Sequence, residues 1–535
     1  MRIAYAQMKI SAGHPDVNTE KILRLIDEAR TQGADVIIFP YMSISGTMIS
    51  DNDLNKKSAL NDLRYWMSEI ISASQDIFVI FVAEYAFLPD VPQFAIIKNG
   101  KFIDERKFPV KIKVALDDEV FRGKGRLCLR FISVPFSFDR RFFDEEINRP
   151  VIHVGCVGIQ NTGKTVYTFD GGSAVFNSRG EVVQVAEPFK ECLNFIDLEK
   201  IDKMPALELP KISEAEKIYR AISFGVKNFL EQIGMKKVVV GVSGGIDSAV
   251  AAALYTKVVG AENVYLVNMP SKFNSSTTKN LSEQLAKNLG CKYFVVPIQE
   301  SVDWTVKQLE SVGFEVSSFV KENIQARDRS ARILAAIAAS VGGVFTCNAN
   351  KAESTVGYAT LYGDEAGFLS ALADLWKYQV YDLARYMNEK IFGREVIPQG
   401  IIDIVPSAEL STAQNVDEGK GDPLRYDYHD YLFRAFAEIN LSPEEILNWY
   451  ACGELEKNIG CAEGLVEKYF PTAEEFIADL ERWWKAFKGM GVAKRIQSPP
   501  ILAVTDCPYG SFQESQNGWH FTKKYLELKN NLLAR

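Results

Sequence analysis

Histidine is scarce in this chain, no Cys-x-x-Cys pair occurs, and these two shortages remove zinc and dithiol chemistry at the outset. The four histidines (His14, His153, His429, His520) are scattered, as are the eight cysteines (Cys128, Cys156, Cys192, Cys291, Cys347, Cys452, Cys461, Cys507). Neither a metal-ligand spacing nor a disulfide framework can be built from them, and reduced cytosol is the expected compartment. Positive charge is also in deficit. With 61 Lys and Arg against 69 Asp and Glu, the formal net charge is -8, whereas a nucleic-acid binder normally shows a basic face. No apolar run approaches the roughly 18 residues of a membrane span, no signal-peptide pattern precedes the strand pattern at Met1–Gln7, and no repeat or low-complexity tract is found. A cytoplasmic enzyme acting on small molecules is expected, and 535 residues are too many for one core.

What is present is most informative at 238–248, Val-Val-Val-Gly-Val-Ser-Gly-Gly-Ile-Asp-Ser. A β-branched run ends at Gly241, Ser243-Gly244-Gly245 offers backbone that can approach a phosphate closely, and Asp247-Ser248 opens a helix whose free N–H groups favour an anion. No lysine follows the glycines, so this is not a phosphate loop of the Gly-x-x-x-x-Gly-Lys-Ser/Thr kind. It resembles the pyrophosphate loop of ATP pyrophosphatases, where Asp247 suits Mg2+. A second stretch, Gly158 to Thr165, does fit the Gly-x-x-x-x-Gly-Lys-Thr pattern. It leads into Val-Tyr-Thr-Phe-Asp-Gly-Gly, a strand signal rather than a helix, and is not expected to hold nucleotide.

The charged stretch 198–217, with Pro205 and Pro210, reads as a linker. Before it (1–197) short strands dominate: 3–8, 36–39, 77–82, 93–98, 151–157 and a hairpin 173–176 with 181–185. After it (218–435) strands 238–242, 264–268, 293–298 and 344–347 alternate with helices, which argues a doubly wound parallel sheet with ligands at the strands' carboxyl ends. Residues 436–535 read as a helical extension whose tryptophans Trp483 and Trp484 serve packing.

Beyond the loop come Met269-Pro270-Ser271, the run Glu322 to Arg329 containing Asn-Ile-Gln-Ala-Arg, Asn350-Lys351-Ala352-Glu353, the run Gly357 to Asp364, and Pro406 to Leu410 with Gln414, Asp417 and Glu418. In that order they resemble NAD+ synthetase over Ala215 to Phe433; the loop alone would also allow GMP synthetase, asparagine synthetase or RNA-thiolating enzymes. The resemblance implies an ATP pyrophosphatase fold and amidation of nicotinate adenine dinucleotide through an acyl adenylate. It implies catalytic Asp247, Glu353 and Asp364, with Asp247 and Glu353 on Mg2+. ATP would meet Gly241, Ser243, Gly244, Gly245, Asp247, Ser248, Met269, Lys351 and Lys377. Arg327 and Thr360 would bind the substrate nucleotides, Asp364 would bind ammonium or take its proton, and the synthetase would be a homodimer or larger assembly. Arg327, Arg329 and Lys377 are open to a plainer reading as solvated charges.

The first block is similar to the nitrilase-like glutaminase domain of glutamine-dependent NAD+ synthetases, an αββα sandwich. Asp35 to Pro40, Phe169 to Ser173, and Val154 to Gly158 carry that likeness. The family's glutamate base after Phe-Pro is Tyr41 here, its cysteine nucleophile is Ile132 at the end of 125–132, and its lysine matches only loosely to Arg106-Lys107. The stretch from Phe121 to Val151 is also shorter than the family's. The domain is therefore expected to be catalytically degenerate, with ammonia as nitrogen donor. Two alternatives stand beside this: hydrolysis of glutamine by this chain or a separate glutaminase partner, and a non-catalytic ATP-binding or assembly protein.

Overall fold

The computed structural model describes residues 1–48, 57–82, 94–117, 119, 125–140, 148–508 and 518–534. Gln93, first residue of the expected strand 93–98, and part of the stretch between Phe121 and Val151 lie outside these residues. The chain forms two compact units, Met1–Thr162 with Val166–Asn228, and Gly163–Thr165 with Phe229–Arg535.

In the first unit the strands are β1 (Arg2–Gln7), β2 (Val36–Ile38), β3 (Phe78–Val82), β4 (Phe94–Lys98), β5 (Lys101–Phe102), β6 (Ile112–Leu116), β7 (Leu127–Ile132), β8 (Val151–Gly155), β9 (Val157–Thr162), β10 (Thr165–Asp170), β11 (Ala174–Phe176), β12 (Val182–Val185) and β13 (Cys192–Asp197). They form one sheet in the order β13-β1-β2-β3-β4-β5 and another in the order β12-β11-β8-β7-β6. Side chains alternate between the faces of a strand, and the alternation sorts the core. Ile3 and Tyr5 of β1 face a cluster shared with Ile112, Leu129, Phe131 and Val154 of the other sheet. Ala4 and Ala6 face Ile22, Ile26, Leu63 and Met67, which belong to helices α1 (Pro15–Thr31) and α2 (Lys57–Ala73). This face-to-face pair of sheets, with α1 and α2 covering the outer face of the first, is the nitrilase-like sandwich expected of the first block.

Two expectations change in detail. The single strand expected over 151–157 is two, separated at Cys156. A Cβ at Gly155 would lie 1.7 Å from the Gly171 carbonyl oxygen, and Gly158 has φ +128°, so both glycines permit a close crossing that a straight strand would not make. The expected linker 198–217 is partly folded in: Leu198 and Ile201 are buried, and α3 (Glu214–Gln232) begins inside it. The division between units falls within α3, between Asn228 and Phe229.

The second unit is built on four parallel strands in the order β16-β15-β14-β17, namely β14 (Val238–Gly241), β15 (Val264–Asn268), β16 (Lys292–Val295) and β17 (Val344–Phe345). The chain leaves β14 towards β15 on one side, while β17 pairs on the other. That makes the carboxyl ends of β14 and β17 the switch point of the sheet, where an open α/β fold leaves a crevice. Around it lie α4 (Ile246–Val259), α5 (Ser276–Leu289), α6 (Gln299–Ser311), α7 (Ser318–Arg327), α8 (Ala335–Val341), α9 (Lys351–Val356) and α10 (Lys377–Tyr386). α4 is apolar on every side, Ala249 to Tyr255 all being buried, as suits a helix enclosed by its neighbours. Between α7 and α8 the run Asp328–Leu334 is a π-helical turn, a distortion that recurs at functional sites.

The C-terminal helices α11 (Tyr426–Ala437), α12 (Pro443–Ala451), α13 (Ala473–Lys488) and α14 (Met490–Gln497) share this unit with the sheet. Their core is aromatic: His429, Phe433 and Trp483 lie within 5.5 Å of one another, centroid to centroid. The expected packing role of Trp483 and Trp484 corresponds to their place in this cluster, both being buried.

Candidate active site

A cavity of about 270 Å3 opens at the switch point, lined by the loop from Gly241 to Ser248 and by Met269, Arg329, Glu353, Asp364 and Lys377 among others. The loop is rigidified by its own hydroxyls. Ser248 Oγ accepts from Ser243 N at 3.2 Å and donates to the Gly245 carbonyl at 3.0 Å, while Ser243 Oγ accepts from Gly245 N at 3.2 Å. Gly244 has φ +93°, and a Cβ there would fall 2.4 Å from the Thr278 carbonyl oxygen, so this position requires glycine. Asn348, just beyond β17, donates to the Gly241 carbonyl at 3.1 Å.

Opposite the loop, Asn350 caps α9. Its side chain accepts from Glu353 N at 3.0 Å, and Glu353 returns a bond from Asn350 N at 3.3 Å, a reciprocal capping box. The same Asn350 donates to Asp247 Oδ1 at 3.1 Å. Lys377 Nζ donates to Asp247 Oδ2 at 2.5 Å and stands 3.9 Å from Glu353, and Tyr426 donates its hydroxyl to Glu353 at 3.2 Å. Burial and then the neighbouring Asp247 charge push the Glu353 carboxyl up to about 8, against the pull of Lys377. Lys377 itself is raised: burial opposes its charge, and the two carboxylates more than offset that. It is thus a buried ammonium between acids and not an ordinary surface lysine.

Asp364 is raised by burial, an effect opposed by the Thr360 amide it accepts from at 2.6 Å and by the charges of Lys494 and Arg329. Arg329, on the π-helical turn, donates to the Met269 carbonyl at 3.0 Å and to Asn274 at 3.2 Å. Burial brings it down to about 10, opposed by Asp364 and Glu409. The expected loop 406–418 does border the cavity through Pro406, Ser407, Ala408, Leu410 and Val416.

Lys351 departs from expectation. It does not line the cavity; its fully buried amine donates to Asp374 at 2.8 Å, Glu438 at 2.7 Å and Thr505 at 3.1 Å. At the first position of α9 its side chain is turned to the helix's far face, leaving no ammonium for a phosphate. Arg327 and Thr360 do not line the cavity either. Arg327 is exposed, with Nε on the Leu361 carbonyl at 3.0 Å, and Thr360 is buried, its backbone holding Asp364. Sequence reasoning assigns no role to Arg329, Asn350 or Tyr426, nor to Asp422, which lines the cavity and accepts from Tyr358 Oη at 3.1 Å and Ala408 N at 3.0 Å. Only Asn350 had a local signal, the Asn-x-x-Glu of a capping box.

In the first unit, Tyr41 follows the end of β2 and is partly buried against the inter-sheet core. Ile132 ends β7, buried. Just beyond it the Asp117 carboxylate accepts from Ser133 N at 2.7 Å, Ser133 Oγ at 2.5 Å and Val134 N at 3.1 Å. Cys128 and Cys156 are buried, and burial pushes the Cys156 thiol up to about 12. Lys107 is exposed on a 3-10 turn. Gly158 to Thr165 is the β9–β10 hairpin with Gly163 at φ +56°; its tip, Gly163–Thr165, belongs to the second unit, within which Lys164 donates to the carbonyls of Arg495, at 3.1 Å, and Ile496.

One chain thus joins a nitrilase-like sandwich to a parallel-sheet unit whose cavity lies at the switch point of its sheet. Residues 218–459 match the family model for NAD synthase. The chain is 29% identical to the glutamine-dependent NAD(+) synthetase of Synechocystis sp. over 95% of this chain and 97% of that protein. It is 26% identical to the Thermotoga maritima enzyme of the same name over 83% and 90%. Its fold resembles that of a glutamine-dependent NAD(+) synthetase from Cytophaga hutchinsonii, with a TM-score of 0.75, 15% identity and 99% of both chains covered. It also resembles the Acinetobacter baumannii enzyme solved with ADP, with a TM-score of 0.65, 23% identity and coverage of 97% and 99%. Over nearly its whole length the chain is thus similar to two-domain NAD(+) synthetases, in sequence and in fold.

Proposed function

We propose that the cavity adenylates and then amidates nicotinate adenine dinucleotide. The substrate carboxylate attacks the α-phosphorus of ATP, the bond from that phosphorus to the α,β-bridging oxygen breaks, and pyrophosphate leaves with the bonding pair towards the loop 243–248, whose N–H groups and hydroxyls are already fixed. Ammonia then adds to the acyl carbon, AMP departs with the bonding pair, and the surplus proton passes to Asp364 or to water. Asp247 and Glu353 would hold Mg2+. Among the described residues no three Asp, Glu, His or Cys side chains converge as a metal site, so phosphate oxygens and water would complete the shell, as Mg2+ commonly accepts. The ion would supply charge neutralisation at the phosphates, and Lys377 lies between the two carboxylates.

The observation that carries this reading is the convergence of Asp247, Glu353, Lys377 and Asp364 on one cavity beside the pyrophosphate-type loop. In an assay with ATP, Mg2+, ammonium and nicotinate adenine dinucleotide, equal amounts of AMP and NAD+ are expected. Asp247→Ala should lower the rate by a factor corresponding to about 3 kcal/mol or more; near-normal turnover of the folded variant would remove the assignment.

For the nitrogen source, resemblance assigns the base and nucleophile positions to Tyr41 and Ile132, which lack that chemistry, and this supports ammonia delivered to this chain. The names of the relatives favour the second reading, glutamine as donor. We further propose a second copy of the chain as partner. The edge strand β16, helices α6 and α7 and the connection between them leave Val295, Trp304, Phe314 and Phe319 between 54% and 69% exposed, apolar exposure of the kind that marks an interface. A dimer is expected in sedimentation, and Trp304→Glu should shift it to monomer.

A further inference from the structure

We propose that α14 is a positioning element of the adenylation site, with Gln497 and Lys494 setting the loop that carries Asp364. This rests on the amidation reading above and extends it to residues outside the 218–459 segment matched to NAD synthase. The helix that presents Glu353, α9, has only six residues, too short to hold its own shape. Its last carbonyls need donors from elsewhere, and α14 supplies them. Arg495 donates to the Thr355 carbonyl, and also to the Phe487 carbonyl at 3.0 Å. Lys494 Nζ donates to the Gly357 carbonyl at 2.7 Å. The approach is close enough to demand glycine: at Gly357, φ +65°, a Cβ would lie 2.7 Å from Gly491 Cα.

From Gly357 the chain runs through Thr360 to Asp364. Midway, Tyr362 has φ +59°, a conformation that residues with side chains seldom adopt without support. The residue is 64% exposed, so its side chain gives little support, but its amide donates to Gln497 Oε1 at 2.9 Å. One helix therefore holds the loop at its start and at its strained centre. Two residues after Tyr362, the Asp364 carboxylate closes the turn on the Thr360 amide. Charged groups facing Asp364 are Lys494 and Arg329, with Glu365 alongside.

The test uses the full chain with Gln497→Leu, Gln497→Glu, Lys494→Met and Lys494→Arg. Tyr362 needs only an acceptor and Gly357 only a donor, so the Glu and Arg variants should keep the contact. Amide hydrogen exchange across 358–364 is expected to quicken at least tenfold in Gln497→Leu and to stay near wild type in Gln497→Glu. The kcat for NAD+ formation from ammonium should fall tenfold or more in Gln497→Leu and Lys494→Met, with KM for ATP within twofold, and should recover to within threefold in the Glu and Arg variants. Unchanged exchange in Gln497→Leu overturns the proposal, as does faster exchange with unchanged kcat. A general loss of thermal stability that the conservative variants do not repair also overturns it, in favour of a structural role. If the wild-type chain makes no NAD+ from either donor, it is the amidation reading that fails, and exchange still decides whether α14 holds the loop.

Discussion

Two lysines in the second unit show why a residue's partners matter more than its type. Lys377 is buried between two cavity carboxylates, whereas Lys351, in a similarly buried setting, serves Asp374 and Glu438. Lys351→Met should therefore act on stability: it strands the fully buried Asp374 without its cation, and removing one partner of a buried pair costs about 3–5 kcal/mol. Urea unfolding should show a loss of that size, while a folded Lys351→Met with normal stability and a raised KM for ATP would return the residue to the phosphates. Asp430 gives a pH-dependent case. Burial raises it to about 7, opposed by bonds from the Tyr378 and Lys377 backbone and by the Lys377 charge, with Asp247 adding to the rise. A carboxyl raised on folding favours the protonated form, so its contribution is complete below its unfolded pKa and is lost as pH rises through about 7. The stability of Asp430→Asn relative to wild type should therefore increase between pH 4 and pH 8 in parallel unfolding curves; a flat difference would exclude the shift.

At the scale of elements, local pattern was legible and long-range partnership was not. The β1 alternation, the run ending at Gly241 and the Asn-x-x-Glu start of α9 are set by neighbours in sequence, so each could be read in advance. The false phosphate loop could be rejected for the same reason, since Val166 to Phe169 carries strand residues where a helix must begin. Tyr426 on Glu353, Arg329 on Met269 and the turning away of Lys351 depend on residues dozens apart, for which one sequence has no signal. Leu198 and Ile201 were masked by the charges between them. The hairpin gives a direct prediction: because Lys164 donates to carbonyls at the end of α14 and lies in a β-turn, Lys164→Ala should leave the apparent affinity for ATP unchanged. A tenfold loss in ATP binding, about 1.4 kcal/mol, would mean a second nucleotide site.

For the whole molecule the open chemical choice is where the nitrogen comes from. A cysteine-based amidase needs a thiolate, a base and a group that stabilises the oxyanion in one place. In this chain Ile132 and Tyr41 occupy the two positions that resemblance assigns to nucleophile and base, and Asp117 takes up the hydrogen-bonding groups that follow β7. Of the thiols in the first unit, Cys128 is buried within β7, and burial raises those of Cys156 and Cys192, which leaves little thiolate near neutral pH. Ammonium is therefore expected to support NAD+ formation where glutamine alone does not. The rate at limiting total ammonium should rise with pH towards the ammonium pKa of about 9, because only the uncharged form attacks. The measurement is glutamate and NAD+ released from glutamine, ATP, Mg2+ and nicotinate adenine dinucleotide, with and without a thiol-alkylating reagent. Glutamate formed in step with NAD+ and abolished by alkylation would establish a working cysteine and bring this chain into line with the glutamine-dependent names of its relatives. That result would leave the proposal of adenylation in the cavity untouched, since none of Asp247, Glu353, Lys377 or Asp364 depends on which molecule carried the nitrogen.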